Sequence, residues 1–429
     1  MLRPEENDLL TQTGPGTLMG ALFRRFWLPA LLSSELPEPD CPPLRIRLCS
    51  EDLVAFRDTA GRVGIVGAHC PHRGASLFFG RNEDHGLRCV YHGWKYDVNG
   101  NCVDMPNEPP VGARHAVPLP AKIHHTAYPT CERSGIVWTY MGPPERMGEP
   151  PHLEWARVPE SQVVVTKYIA SCNYMQAMEG DIDSAHVSFL HKRLEDYGAA
   201  ANDPTRAPIA RYTPSDRAPR FTVKDTDYGL MIGARRSAGA DSYYWRISQW
   251  LMPAFDMIGH DPDVPMSGHA LVPLDDEHVW FWAMRWLGAR PFGEDERAEW
   301  GGEQGRVAVI PGTWLPRANA SNDYLIDREV QRTRTFTGIP EIGEQDLAVT
   351  ESMGPICDRS QEHLGTTDLA IIAARRRLLA AAQELQQGVE PYPAQHPDVY
   401  AIRPTAAILK RDIPFDEDAG VRAALLARA

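Results

Sequence analysis

The chain has 429 residues, enough for two or three ordinary domains with cores of their own and too many for a single small binding module. Hydrophobic residues make up 43% and charged residues 24%, the profile of a soluble globular protein. The formal net charge of −13 argues against a nucleic-acid or anionic-membrane partner, whose surfaces are met by excess Lys and Arg, but leaves room for a small anionic substrate held by a local Arg pair.

The opening MLRPEENDLLTQ is acidic and lacks the basic and apolar regions of a secretory signal, and no run approaches the roughly 18 apolar residues of a membrane span. A cytoplasmic location is the expectation. GPGTLMG at 14–20 has the wrong spacing and no preceding strand for a dinucleotide fingerprint, so no flavin or nicotinamide site is expected. Residues 44–67 read as short strands joined by turns, and this texture continues to SGIVWTYMG at 134–142. The Pro-rich GPPERMGEPPHLEW then breaks the pattern. The division expected is an N-terminal helical segment over 1–40, a β-rich domain over 41–145 and a mixed α and β domain over 146–429. In the last of these, ASCNYMQAMEGDIDSAHVSFLHKRLEDYG carries helical periodicity, strands return at 230–259 and 278–287, and Thr366–Gln387 is the clearest amphipathic helix, opened by Thr and Asp as caps.

Eight Cys are too sparse for a disulfide scaffold, and paired spacing points to metal instead. In HCPHRGASLFFGRNEDHGLRCVYHGWKYD, Cys70-x-His72 is followed, after sixteen residues, by Cys89-x2-His92. A structural Cys2His2 zinc site uses similar spacing. Zinc sites tend to group like residues, however, whereas here each loop brings one Cys and one His, the set that a [2Fe–2S] cluster with one iron on two thiolates and the other on two imidazoles requires. His69 and His85 do not fit the ligand spacing and read as polar loop histidines.

A second set, Asp183-x2-His186-x4-His191, offers two His and a carboxylate, the recurrent device for holding Fe(II) with positions left open for oxygen. On a continuous helix His186 and His191 would stand about 140° apart, so the helix must break or bulge between them. Three acids further along compete to complete the set: Asp346, Asp358 and Asp368.

Together these segments resemble the Rieske non-haem iron ring-hydroxylating oxygenases, large (alpha) subunit, and in particular the phthalate 4,5-dioxygenase group; the likeness runs from the N-terminal helix to DRSQEHLGTTDLAIIAARR. The resemblance implies an α+β chain, a β-rich Rieske domain followed by a helix-grip (START-like) catalytic domain built on an antiparallel sheet. It implies that Cys70, His72, Cys89 and His92 hold the [2Fe–2S] cluster, and that His186, His191 and Asp346 hold a mononuclear Fe(II). Asp183 would not bind iron but would bridge His186 to His92 of a neighbouring subunit. A homo-trimer or stacked trimers, and a separate reductase carrying flavin and a ferredoxin-type iron–sulfur centre, are further implications. The activity implied is hydroxylation, as a dihydroxylation, of an aromatic carboxylate such as a phthalate-like compound; the alternative is O- or N-demethylation of a methoxylated aromatic acid. Arg pairs bidentately with carboxylates, and GARRSAGADSYYWRIS offers Arg235, Arg236 and Arg246.

Overall fold

The computed structural model describes residues 2–108, 122–194, 206–261, 264–301 and 307–427. The chain forms two compact units, Arg24–Met147 and Met1–Phe23 with Gly148–Ala429. The first boundary therefore falls earlier than the sequence suggested. Helices Pro4–Thr11 and Leu18–Phe23 belong to the larger unit, but residues 24–40 do not, because Trp27–Leu32 is a strand paired antiparallel with Ile136–Tyr140. None of the eight Cys is in a disulfide. No helix among the described residues is long and apolar enough to cross a membrane.

Among its described residues the smaller unit has three antiparallel sheets. One holds Trp27–Leu32, Ile136–Tyr140 and Thr130–Arg133; a second holds Leu44–Leu48, Glu51–Arg57, Val63–Gly67 and Ala127–Tyr128; the third is a meander from Arg81 to Asp104. Apolar residues of the second and third sheets, among them Val54, Phe56, Val66, Leu87 and Tyr96, share one core with Cys70 and Cys89.

The larger unit is organised on an eight-stranded antiparallel sheet. Its strand order is Val163–Ala170, Val279–Trp286, Met266–Pro273, Phe255–Ile258, Ser242–Leu251, Gly229–Ser237 and Arg220–Asp225, with Thr405–Lys410 also pairing Ser242–Leu251. Alternation along the strands sends successive side chains to opposite faces. The register places Arg246, Asp256 and His269 on one face, where the helix Tyr174–Ile182 packs, and Arg235, Tyr243 and Trp245 on the other.

Leu369–Gln386 is the long helix expected near the C-terminal end, preceded by a short 3-10 turn. Its entry differs from the expectation. Asp368 makes no side-chain bond to the helix's first turn; its carboxylate accepts from the Gly365 N–H behind it. The preceding DRSQEHLG segment is locked by charge. Arg359, fully buried, pairs with Glu179 of the Tyr174–Ile182 helix, and Arg375 joins Glu179 to Glu362. These two guanidiniums hold the Glu179 carboxyl low although its burial pushes the other way.

Candidate metal centres

Two loops of the smaller unit share one construction. Gly74 N–H donates to Cys70 O and Cys70 N–H to Ala75 O; Gly93 N–H donates to Cys89 O and Cys89 N–H to Trp94 O. Each loop turns on a glycine in the left-handed region, φ +75° at Gly74 and +77° at Gly93, a conformation that glycine adopts without strain. The loops carry Cys70 with His72 and Cys89 with His92, and the two imidazole rings meet with centroids 4.4 Å apart. His72 also stacks on Trp94 at 4.4 Å. Both sulfurs are buried, at 2% exposure, while the two imidazoles are half-buried.

The donor set fits a cluster with mixed ligands. His92 Nδ1 is buried without a hydrogen-bond partner, and burial, ahead of the neighbouring Cys70, pushes the Cys89 thiol up. A thiolate and a bare ring nitrogen stay in such a place when a cation neutralises one and accepts the lone pair of the other. Tyr96 Oη lies 3.3 Å from Cys70 Sγ, within hydrogen-bonding reach of that sulfur. Neither His69, whose Nδ1 is 3.1 Å from Gly74 O, nor the exposed His85 belongs to this group.

In the larger unit the Tyr174–Ile182 helix starts on Asn173, whose side chain accepts from Met175 N–H, and stops at Asp183. Asp183 has extended dihedrals, φ −79° and ψ 106°, and its carboxylate accepts from the N–H groups of Ala185 and His186 at 2.6 and 3.3 Å. This local turn outcompetes the next helical bond, and a 3-10 turn, His186–Ser188, follows. The helix thus ends ahead of both histidines, not between them as the spacing suggested, and no π-bulge forms there. Two buried arginines brace the turn from the sheet: Arg236 donates to Ser184 O at 2.7 Å and Arg246 to Ser184 Oγ at 3.0 Å.

His186 Nε2 and His191 Nε2 lie 3.1 Å apart, and Asp346 Oδ1 is 3.6 and 3.1 Å from them. Asp346 sits inside the helix Ile342–Ser352. Of the competing acids, Asp358 closes a turn onto Ser360 and Asp368 holds Gly365, away from the histidines. The neighbouring Gln345, which the sequence did not single out, fixes a tautomer. Its Nε2 donates to Ile339 O, so its Oε1 faces His191 Nδ1 at 2.9 Å and places the ring hydrogen there. Asp183 Oδ2, 3.4 Å from His186 Nδ1, acts likewise on the other ring. Two bare imine nitrogens and a carboxylate oxygen then face one another with no hydrogen between them, a donor set that a divalent cation satisfies.

These three side chains open on a cavity of about 700 Å³, of a size for a small organic ligand. Arg246 and Arg285 line it. Of the arginines flagged in the sequence, Arg246 alone reaches the cavity wall. Arg235 stacks on Tyr243 at 4.4 Å on the opposite face of the sheet, and Arg236 is fully buried, its pKa lowered to about 10 by burial and then by the charge of Arg246.

Residues 26–120 match the Rieske [2Fe-2S] domain family and residues 139–415 the family described as LigXa C-terminal domain like. The chain is 41% identical over 395 residues to the phthalate 4,5-dioxygenase oxygenase subunit of Pseudomonas putida, covering 90% of this chain and 88% of that one. It is 40% identical over 395 residues to the 3-chlorobenzoate-3,4-dioxygenase oxygenase subunit of Comamonas testosteroni, with 89% of each chain covered. Its fold is that of the terminal oxygenase of carbazole 1,9a-dioxygenase from Nocardioides aromaticivorans IC177, at a TM-score of 0.56 and 15% identity over 88% of this chain and 97% of that one. The chain belongs to the Rieske non-haem iron oxygenases, whose oxygenase (alpha) subunits carry a [2Fe–2S] cluster and a mononuclear iron.

Proposed function

We propose that this oxygenase hydroxylates an aromatic carboxylate, adding two hydroxyls to the ring, with electrons supplied by a separate NAD(P)H-dependent reductase. The observation that carries the reading is Arg246, which lines the same cavity as His186, His191 and Asp346. A guanidinium on a rigid strand can anchor a carboxylate and leave the ring held toward the metal ligands. Similarity to the phthalate and chlorobenzoate dioxygenase subunits supports the same substrate class.

In this reading Cys70, His72, Cys89 and His92 hold the cluster, and His186, His191 and Asp346 hold the iron, which when bound supplies oxygen activation. The protein's own work is placement. Gln345 and Asp183 keep each ring's Nε2 bare, Asp183 and the two sheet arginines hold the His186 turn, and the cavity walls exclude water from the ring. Asp183 would also link His186 to His92 of a neighbouring copy in a trimeric ring, the closed symmetry that head-to-tail contacts require.

The test is oxygen uptake with a reductase supplied, screened across benzoates, phthalates and methoxylated benzoates, with product identification. Uptake stimulated by a carboxylate, yielding a cis-dihydrodiol, is expected. Arg246→Lys, which keeps a cationic donor for Ser184 Oγ and loses the planar fork, should raise KM at least tenfold for that substrate, with rates compared per bound iron. Formaldehyde as the product would establish demethylation in its place. Uptake stimulated equally by the uncharged amide of the same substrate would overturn carboxylate recognition.

A further inference from the structure

One group of titratable side chains behind the cavity has no role in the chemistry above. Strand pairing sets Asp256 directly across from His269, and the Tyr174–Ile182 helix brings Asp181 onto them. His269 Nδ1 lies 3.1 Å from Asp181 Oδ2 and 3.3 Å from Asp256 Oδ1. Asp256 and His269 are each 2% exposed, and the Asp256 oxygens have no hydrogen-bond partner outside this trio among the described residues.

Two carboxylates and an imidazole this deeply buried cannot all shed their protons, since each unpaired charge loses its hydration. Burial, then the charge of Asp181, pushes the Asp256 carboxyl up to about 7. Burial alone would lower His269, but the two carboxylates prevail and raise it to about 9. The trio therefore retains a proton that exchanges close to neutral pH, where general acids work best.

Asp181 connects this trio to the site. It lines the cavity of about 700 Å³ together with His186 and Asp346. With His269 it also lines a void of about 20 Å³ that reaches Asp346, room for one water. We propose that Asp181, Asp256 and His269 form a buried proton store that supplies the mononuclear site through Asp181 and a water in the void beside Asp346. The inference rests on the reading of His186, His191 and Asp346 as iron ligands.

Ring dihydroxylation consumes one aromatic ring, O2, two electrons and two protons to give one cis-dihydrodiol. The reductase provides the electrons, but an aromatic acid filling the cavity displaces the water that would bring protons. In the transfer, which supplies one of the two protons, an O–H or N–H bond of the Asp256–His269 pair breaks and an O–H bond forms on Asp181; Asp181 then gives that proton to the water as the water gives one of its own to a forming product hydroxyl, and the second proton comes from cavity water as the product leaves. No electron moves within the store. When product leaves, cavity water reprotonates the trio through Asp181. The charged groups that share the cavity wall with Asp181 are Asp183 just past the end of its helix, Arg246 and Arg285 from the sheet, Lys192 and Arg193 after the His186 turn, Glu299, and Glu341 and Asp346 at the helix Ile342–Ser352. Glu179 is neutralised by Arg359 and Arg375, Tyr168 stacks on Phe281, and the Lys167 ammonium sits over Trp280, Trp282 and Trp314.

The test uses the holoenzyme with its reductase and the isosteric Asp256→Asn, with Asp181→Asn at the cavity end should the first variant not fold. Wild-type kcat should fall above pH 7, as Asp256 deprotonates. The variants should keep cluster absorption and iron content, lose at least tenfold in kcat at pH 7, release hydrogen peroxide in place of product, and lose that alkaline limb. Independently of turnover, histidine NMR of the iron-free wild type should show one imidazolium persisting to about pH 9. Folded variants with unchanged coupling and pH profile, or the absence of that imidazolium, would overturn the store. A wild type lacking a third iron per chain would instead overturn the ligand reading.

Discussion

Gln345 offers the sharpest test of how the chain prepares its iron site. It makes two hydrogen bonds of 2.9 Å, one from its Nε2 to Ile339 O and one between its Oε1 and His191 Nδ1. Gln345→Leu keeps the side chain's approximate volume and removes both. His191 then loses a bond of about 1 kcal/mol and gains access to the tautomer whose hydrogen sits on Nε2, pointed at the metal position. Each tautomer change must be reversed before the metal binds. Loss of such an outer partner costs roughly 10–100-fold in metal affinity, about 1.4–2.7 kcal/mol. The assay is competition for ferrous iron against a graded chelator, with Rieske absorption as the internal control, since the cluster's ligands lie in the other unit. A folded Gln345→Leu protein that retains iron within twofold of wild type would refute the tautomer argument.

Asp183→Asn keeps an oxygen able to accept from Ala185 N–H, so the turn should persist, but it turns an amide donor toward His186 Nδ1, so iron affinity should fall roughly 10–100-fold; in the iron-reloaded variant single-turnover transfer from reduced cluster to iron should slow at least tenfold, and an unchanged rate would remove Asp183 from the electron path. Gly93→Ala forces a side chain into φ +77° with its Cβ 2.7 Å from Pro106 Cγ, and the expected result is loss of the cluster's visible absorption with normal iron at the mononuclear site. Glu179→Gln strips Arg359 and Arg375 of a shared carboxylate and should cost about 3–5 kcal/mol, read as a lower thermal transition of the larger unit. His125, buried with its Nε2 donating to Gly67 O, is held below its ordinary value by burial. The folded state resists its protonation, so its contribution to stability is full above about pH 6.5 and is lost as pH falls below that; His125→Gln should flatten this acid limb in thermal melts between pH 7 and 5.

What the sequence made legible were patterns with one physical meaning. Mixed Cys/His pairs point to the mixed-ligand cluster, and the β texture from 44 to 67 becomes the strands Leu44–Leu48, Glu51–Arg57 and Val63–Gly67. That one continuous helix could not carry both His186 and His191 followed from the 100° step alone, although the helix ends before His186 and not between the two. The device that ends it did not follow, because the Asp183 turn depends on side-chain bonds to N–H groups whose positions only the fold fixes. Trp27–Leu32 escaped notice for a related reason: six apolar residues containing a Pro carry no clear period, and their partner strand lies more than a hundred residues away. Gln345 and the Asp256–His269 pair depend on Ile339 O and on strand register, neither of which spacing reveals.

The sheet register has a consequence for how such a site can diverge. Arg246, Ile258 and Arg285 reach the cavity as side chains of strands whose backbones are fixed by their ladder bonds, whereas His186, His191 and Asp346 come from a turn, a loop and a helix. Part of the wall thus lies on strands apart from the stretches that carry those three side chains. Strand positions facing the cavity that do not brace the His186 turn, such as Ile258 and Arg285, can change size or charge without moving His186, His191 or Asp346, so one scaffold can exchange substrates by point substitution there.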